Sequence, residues 1–320
     1  MSRPLTRPLL VAAAAVAALL AAVPTAGLAQ MPAPPVAAPA NPPLPATDSR
    51  PLQYGRFTVE VVGHGPDVIL IPGLDSSRDT FSRLVQAHSG QYRFHRIQIA
   101  GFAGTPAGDN ASGEVVAPTV EAIARYISDQ HLKRPAVIGH SLGGEAALML
   151  AARHPDAVGR IMAVDSLPFL GALFGGPQAT PEKLKPMADG MARGMAMSDD
   201  AGWAKGVWAN TYPLVSAPAD QAMVYGWGLA SSHAVGGRAF ADLIVTDLRP
   251  ELAKIQVSAT VLFAHGPQFP QDEAKTTAYI TGLYANLKGA KLIAVSPSRH
   301  FIMFDQPERF DREVMTFLAN

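Results

Sequence analysis

Gly139-His140-Ser141-Leu142-Gly143, read together with Ala136-Val137-Ile138 before it and Gly144 to Arg153 after it, decides the fold of this chain. Ala136 to Ile138 reads as a short buried strand, and Gly144 to Arg153 as an apolar helix ending at His154-Pro155. A strand that turns at once into a helix needs small residues two positions before and two after its apex. A side chain at position 139 or 143 would crowd the turn that pushes Ser141 outward. The helix N-terminus behind the turn favours negative charge beside that serine. The five residues alone are weak evidence, because a glycine-rich turn whose serine caps the helix has the same letters. With the strand and the helix on either side, the stretch predicts a nucleophile elbow with Ser141 at its tip.

The remainder of the composition narrows the chemistry. The chain has 320 residues, 26 basic and 26 acidic side chains, nine histidines and no cysteine. Without cysteine there is no thiolate catalysis, no Cys-based zinc site and no lipid attachment through an N-terminal cysteine. The histidines show no ligand-like pairing, so no metal and no cofactor is expected. A near-neutral chain without Lys/Arg clusters gives no support for nucleic-acid binding.

Residues 1–29 read as a signal peptide: Arg3 and Arg7, an apolar run from Leu9 to Val23, then Gly27-Leu28-Ala29 before Gln30. The apolar run is shorter than the roughly 20 residues that span a bilayer. Export to the periplasm or beyond is therefore expected, with no stable membrane insertion after cleavage. The mature chain carries 24 basic and 26 acidic groups. Residues 30–55, rich in proline and alanine, read as an extended tether. A single domain from 56 to 320 is large enough to fold without disulfides. Asn110-Ala111-Ser112 is formally a glycosylation sequon and reads as a polar loop.

Outward from the elbow, apolar strands and helices alternate. Phe57 to Val62 alternates like an edge strand, and Asp67 to Ile71 is a buried strand running into Pro72-Gly73. A short helix is expected around Thr80 to Gln86, a strand at Arg93 to Ile99, and a helix on Val120, Ile123, Ala124 and Ile127. Arg160 to Val164, Thr260 to Ala264 and Lys291 to Val295 continue the strands, with helices near Glu273 to Leu287 and on Phe310, Val314 and Phe317. This rhythm predicts an α/β fold, a mostly parallel central sheet covered by helices on both faces. It breaks at about 168–247, which reads as an insertion above the C-terminal strand ends, where such sheets bind ligands.

In Pro72-Gly73-Leu74, Gly139 to Gly144, and Ser298-Arg299-His300-Phe301 followed by Asp305-Gln306-Pro307, the chain resembles the α/β-hydrolase superfamily. The resemblance covers residues 56–320 and is to members with a helical cap between the sixth and seventh strands. It implies an esterase- or lipase-like serine hydrolase with Ser141 as nucleophile and His300, in the loop before the last helix, as its base. It also implies an oxyanion hole made by the backbone N–H groups of Leu74 and Leu142. The acid departs from the family pattern. After the seventh strand the chain reads His265-Gly266-Pro267-Gln268-Phe269-Pro270, with no carboxylate. A variation within the family puts the acid at the end of the sixth strand, where Asp165 stands; Asp272 and Asp247 are the alternatives.

Within the insertion, Met187, Met191 and Met195 recur every four residues, with Trp203, Trp208 and Tyr212 behind them. Methionine and aromatic surface suits an adaptable acyl pocket. Met187, Met191, Trp203 and His233 are therefore candidates for substrate contact, although the stripe reads equally well as packing of cap on sheet. The expected activity is cleavage of a small carboxylic ester, or a lactone, by Ser-His-Asp acyl-enzyme chemistry. Two other readings remain open. One is an amide or peptide hydrolase such as a proline-specific aminopeptidase, with Asp189, Asp199, Asp200 or Asp220 binding the amine. The other is a catalytically weak binding protein on the same fold.

Overall fold

In the computed structural model, residues 32–34, 51–266 and 272–319 are described. The expected signal peptide, most of the tether and residues 267–271 lie outside the described residues. Eight strands form one sheet: β1 (Leu52–Gln53), β2 (Phe57–Gly63), β3 (Asp67–Ile71), β4 (Arg93–Ile99), β5 (Ala136–His140), β6 (Arg160–Val164), β7 (Ser258–Ala264) and β8 (Lys291–Val295). Their order is β1-β2-β4-β3-β5-β6-β7-β8. β2 runs antiparallel to β4, and the strands from β4 to β8 are parallel. The α/β class expected from the alternation is the one observed.

The central strands are apolar on both sides because both sides are covered. Ile69, Ile71, Val137, Ile161 and Phe263 pack under helices α2 (Val116–Asp129) and α3 (Leu142–Arg153). Val68, Leu70, Ile138, Met162 and Leu262 face the opposite layer, which holds Leu84, Phe310, Val314 and Phe317. Alternate residues of one strand thus enter opposite cores, as the two-residue period of a strand requires. α1 (Ser82–His88) belongs to this second layer. Helix α3 is buried along nearly its whole length, and its alanines allow the close approach to the sheet that this position demands.

Two boundaries differ from expectation. Leu52–Gln53 pairs with Val59 and Thr58, so the sheet begins within the supposed tether. Farther back, Trp208 Nε1 donates to the Pro32 carbonyl at 2.8 Å. Extended proline-rich backbone makes no internal hydrogen bonds, so its carbonyls are free to serve a buried indole N–H.

The insertion is helical: α4 (Pro181–Ala196), α5 (Asp200–Thr211), α6 (Pro218–Ala230) and α7 (His233–Val245). α4 and α7 pack closely where Gly237 leaves room; a Cβ there would lie 2.8 Å from the Ala192 carbonyl oxygen and 3.1 Å from Met195 Cβ. After β7 come α8 (Glu273–Leu283), β8, a turn at Ile302–Asp305, and α9 (Pro307–Ala319). Asn110 is not a surface acceptor for sugar. Its side chain is buried, donates to the carbonyls of Arg56 and Ala100, and accepts from Arg56 Nη1, pinning the loop to the sheet edge.

Candidate active site

The elbow forms as the glycine spacing requires. Ser141 stands between the end of β5 and the start of α3 with φ +53° and ψ −118°, a conformation that costs an L-residue energy and persists only where surroundings impose it. A Cβ on Gly139 would overlap the Gly143 carbonyl, and one on Gly143 would overlap the Ile71 carbonyl. At Gly144 it would come within 2.5 Å of Ser166 Cβ. The glycines are thus explained by three close approaches, to the turn itself, to β3 and to the segment after β6.

Gly73-Leu74 ends β3 against this turn. A Cβ on Gly73 would sit 3.1 Å from both Ser141 Cβ and His140 Nδ1. The loop beyond is held from the sheet: Gln98 accepts from the Arg78 N–H at 2.9 Å and donates to the Ser76 carbonyl at 3.3 Å, while Arg96 bonds Asp79 at 2.5 Å. Leu74 and Leu142 both line the cavity in front of Ser141. The two residues expected to supply oxyanion donors thus stand on the same cavity as the serine.

Asp165 lies at the end of β6, also with positive φ (+44°). Its Oδ1 accepts from the Ala264 N–H at 2.7 Å, and its Oδ2 lies 2.6 Å from His300 Nδ1. A carboxylate only accepts, so Nδ1 carries the proton and Nε2 is left with a lone pair. The structure therefore brings Ser141, His300 and Asp165 to one cavity. It does not bring the alternatives there. Asp272 caps α8, accepting from the Lys275 N–H, and Asp247 is paired with Arg249 at 2.7 Å.

The histidine loop is tied on both sides. The Arg299 N–H donates to Asp305 Oδ2 at 2.7 Å, and Asp305 also accepts from the Ser216 N–H and hydroxyl. Arg299 Nη1 donates to the carbonyls of Tyr212 and Val215. These bonds join the loop to the segment between α5 and α6, so the cap helps to place His300. His140 supplies a further support that the sequence did not suggest. It is fully buried, its ring lies 4.5 Å from that of His300, and its Nε2 donates to the His300 carbonyl at 3.1 Å. Burial, and the nearby His300, hold its pKa well below the ordinary imidazole range. A neutral ring with its proton on Nε2 follows. His140→Phe keeps the packing and loses that hydrogen bond, worth about 1 kcal/mol. Its kcat is expected to fall about fivefold, with little change in KM; steady-state kinetics on an aryl ester would check this.

The cavity has a volume of about 520 Å³ and runs between the strand ends and the cap. Of the residues expected to touch substrate, Met191 and Trp203 line it, and Met187 and His233 do not. Met187 lies one turn earlier on the same stripe and, like Met191 and Met195, packs on the main core, but it does not reach the cavity. His233 lies behind Trp203, stacked on the indole at 4.3 Å, with Nδ1 3.2 Å from the Ser198 carbonyl. The acids expected to bind an amine are also elsewhere. Asp189 pairs with Lys185, Asp199 caps α5, Asp200 is exposed, and Asp220 faces Arg83. Two lining carboxyls escaped the sequence reading, Asp75 and Glu145. Glu145 had a visible signal, as the one charged residue in the apolar run Leu142 to Ala152.

Comparison with known proteins bears on the family and the fold. The alpha/beta hydrolase family model matches residues 68–313. A pimeloyl-(acyl-carrier protein) methyl ester esterase of Nitrosomonas europaea is 25% identical over 262 residues, 79% of this chain and 95% of that protein. Among solved structures, an enol-lactonase from Burkholderia xenovorans LB400 superposes with a TM-score of 0.67 at 20% identity, covering 82% of this chain and 96% of that one. An esterase from Exiguobacterium antarcticum superposes with a TM-score of 0.66 at 20% identity, over 82% and 96% of the two chains. At such identities the two structural likenesses speak for the fold alone.

Proposed function

The chain belongs to the alpha/beta hydrolase family, and from that premise we propose that it is an exported serine hydrolase cleaving a small carboxylic ester or lactone. The observation that carries the reading is the 2.6 Å contact of Asp165 with His300 in the cavity entered by Ser141. His300 Nε2 takes the proton of the Ser141 hydroxyl as Oγ attacks the carbonyl carbon, and Asp165 stabilises the resulting imidazolium. The negative oxygen of the tetrahedral intermediate rests on the N–H groups of Leu74 and Leu142. Collapse expels the alcohol, which takes the proton from His300. Water, deprotonated by the same nitrogen, then releases the acid from Ser141.

An ester is favoured over an amide by the cavity's apolar walls and by the absence of the four cap aspartates from its lining. The name of the relative that spans 79% of this chain, a methyl ester esterase, points the same way. Export rests on residues 1–29 alone; the intact mass of the exported protein checks cleavage before Gln30. The activity is tested with p-nitrophenyl esters from acetate to octanoate and the matching p-nitroanilides. The expected result is ester turnover retained up to octanoate, because about 520 Å³ is ample for that chain, with anilides at least about 100-fold slower. Faster anilide cleavage would replace the ester reading with an amidase one.

A further inference from the structure

The walls of the cavity are largely apolar, yet four buried polar atoms of its lining residues have no partner: Asp75 Oδ1, His140 Nδ1, Glu145 Oε1 and the Tyr279 hydroxyl. Glu145 is 2% exposed, and its Oε1 has no hydrogen-bond partner. The Tyr279 hydroxyl is likewise buried and unpartnered. Both residues line the cavity, Glu145 from the first turn of α3 and Tyr279 from α8, with Thr276 and Ser166 also on the wall. Buried polar groups are almost always paired, and leaving one unpaired costs about 1–3 kcal/mol. A site that accepts this cost in its empty state regains it when a ligand supplies the missing partner.

Charge restricts what that ligand can be. Burial raises the Glu145 carboxyl well above the usual carboxylate range, with Asp242 acting in the same direction and Arg153 opposing. Burial likewise pushes Asp75 up to about 7, opposed by the Ser231 hydroxyl. The ionisable groups on the wall are Asp75, Glu145, Asp165, Tyr279, His140 and His300; among the described residues no lysine or arginine lines the cavity. An anionic ligand would be desolvated beside three carboxyls without a fixed cation to receive it.

We propose that Glu145 and Tyr279 form a polar anchor in an otherwise apolar pocket, taking an uncharged hydroxyl on the acyl chain of the substrate and excluding a carboxylate. Protonated, as its burial favours, Glu145 offers a donor and an acceptor, and Tyr279 offers the same pair; an alcohol can use both kinds of partner, whereas an anion can only accept. This rests on the ester reading above and narrows its substrate class to hydroxyacyl esters.

The test separates the two claims by measuring binding as well as turnover. Ethyl esters of straight acyl chains of four to eight carbons, each as the plain, ω-hydroxy and ω-carboxylate form, are titrated calorimetrically into the Ser141→Ala protein. Turnover of the same set is followed with the intact enzyme. At the best chain length the hydroxy ester should bind about tenfold more tightly than the plain one, the yield of a single net hydrogen bond. The carboxylate form should bind at least about 100-fold more weakly than the plain one. Tyr279→Phe, which removes only the hydroxyl, and Glu145→Gln should each reduce the hydroxy-to-plain ratio several-fold. Binding of the carboxylate form within threefold of the plain ester, or no hydroxy preference at any length, would overturn the anchor. Selective binding without turnover would leave the anchor standing and remove the ester-hydrolase reading instead.

Discussion

Ser141→Ala is expected to lower kcat on a p-nitrophenyl ester by about 10⁴-fold or more, with the fold unchanged. Alanine leaves the elbow intact, because the close approaches that shape it belong to Gly139, Gly143 and Gly144 rather than to the serine side chain. The positive φ at position 141 costs alanine about what it costs serine. The melting temperature should therefore stay within about 2 °C of the parent. What disappears is the oxygen that would carry the acyl group, while the donors at Leu74 and Leu142 remain, and an oxyanion hole with bound substrate still leaves activity above that of water. Retained turnover in a folded variant would place the nucleophile elsewhere and remove the acyl-enzyme from the proposed function.

Asp165→Asn should cost about 10³- to 10⁴-fold in kcat, for a reason visible in its two contacts. Asp165 Oδ1 accepts from the Ala264 N–H, and an asparagine carbonyl can keep that bond. The amide nitrogen then faces His300 Nδ1, where the carboxylate oxygen stood at 2.6 Å. An NH₂ group only donates, so Nδ1 must become the acceptor and the imidazole proton moves to Nε2. That nitrogen can no longer take a proton from Ser141. Circular dichroism should not change, and KM should move little, because the substitution touches no wall that holds the acyl chain. A kcat within tenfold of the parent would show that His300 finds its tautomer without Asp165. Asp272 and Asp247, occupied by a helix cap and by Arg249, are poorly placed to substitute.

Much of this site could be read without coordinates. The elbow is a local object whose strand, turn and helix lie within 18 residues, from Ala136 to Arg153. Its glycine spacing follows from steric exclusion, which leaves its mark directly on residue type. The loop carrying His300 was legible through the resemblance, which implies the base between the last strand and the last helix. The acid was not. Asp165 and His300 are 135 residues apart, and their contact depends on the ends of β6, β7 and β8 lying side by side. Several aspartates stood near strand ends, and sequence distance does not rank them.

The cap shows the same limit. Met187, Met191 and Met195 share one stripe and all pack on the core, but only Met191 and Met195 also reach the cavity. His233 looked available for substrate and instead buttresses Trp203. His140, which no sequence signal marked, holds the carbonyl of His300.

By itself, the sequence determined the α/β class, the elbow with Ser141 at its tip, the loop of His300 and the place of the cap along the chain. All but the His300 loop, which the resemblance implies, are written in short-range periodicity and in local steric need. Only the tertiary structure decided which carboxylate meets His300, which face of the cap lines the pocket, and that Glu145 and Tyr279 stand there unpaired. These are contacts between strand ends and helices distant in sequence. They depend on distances of a few ångströms and on desolvation, neither of which leaves a mark on residue spacing.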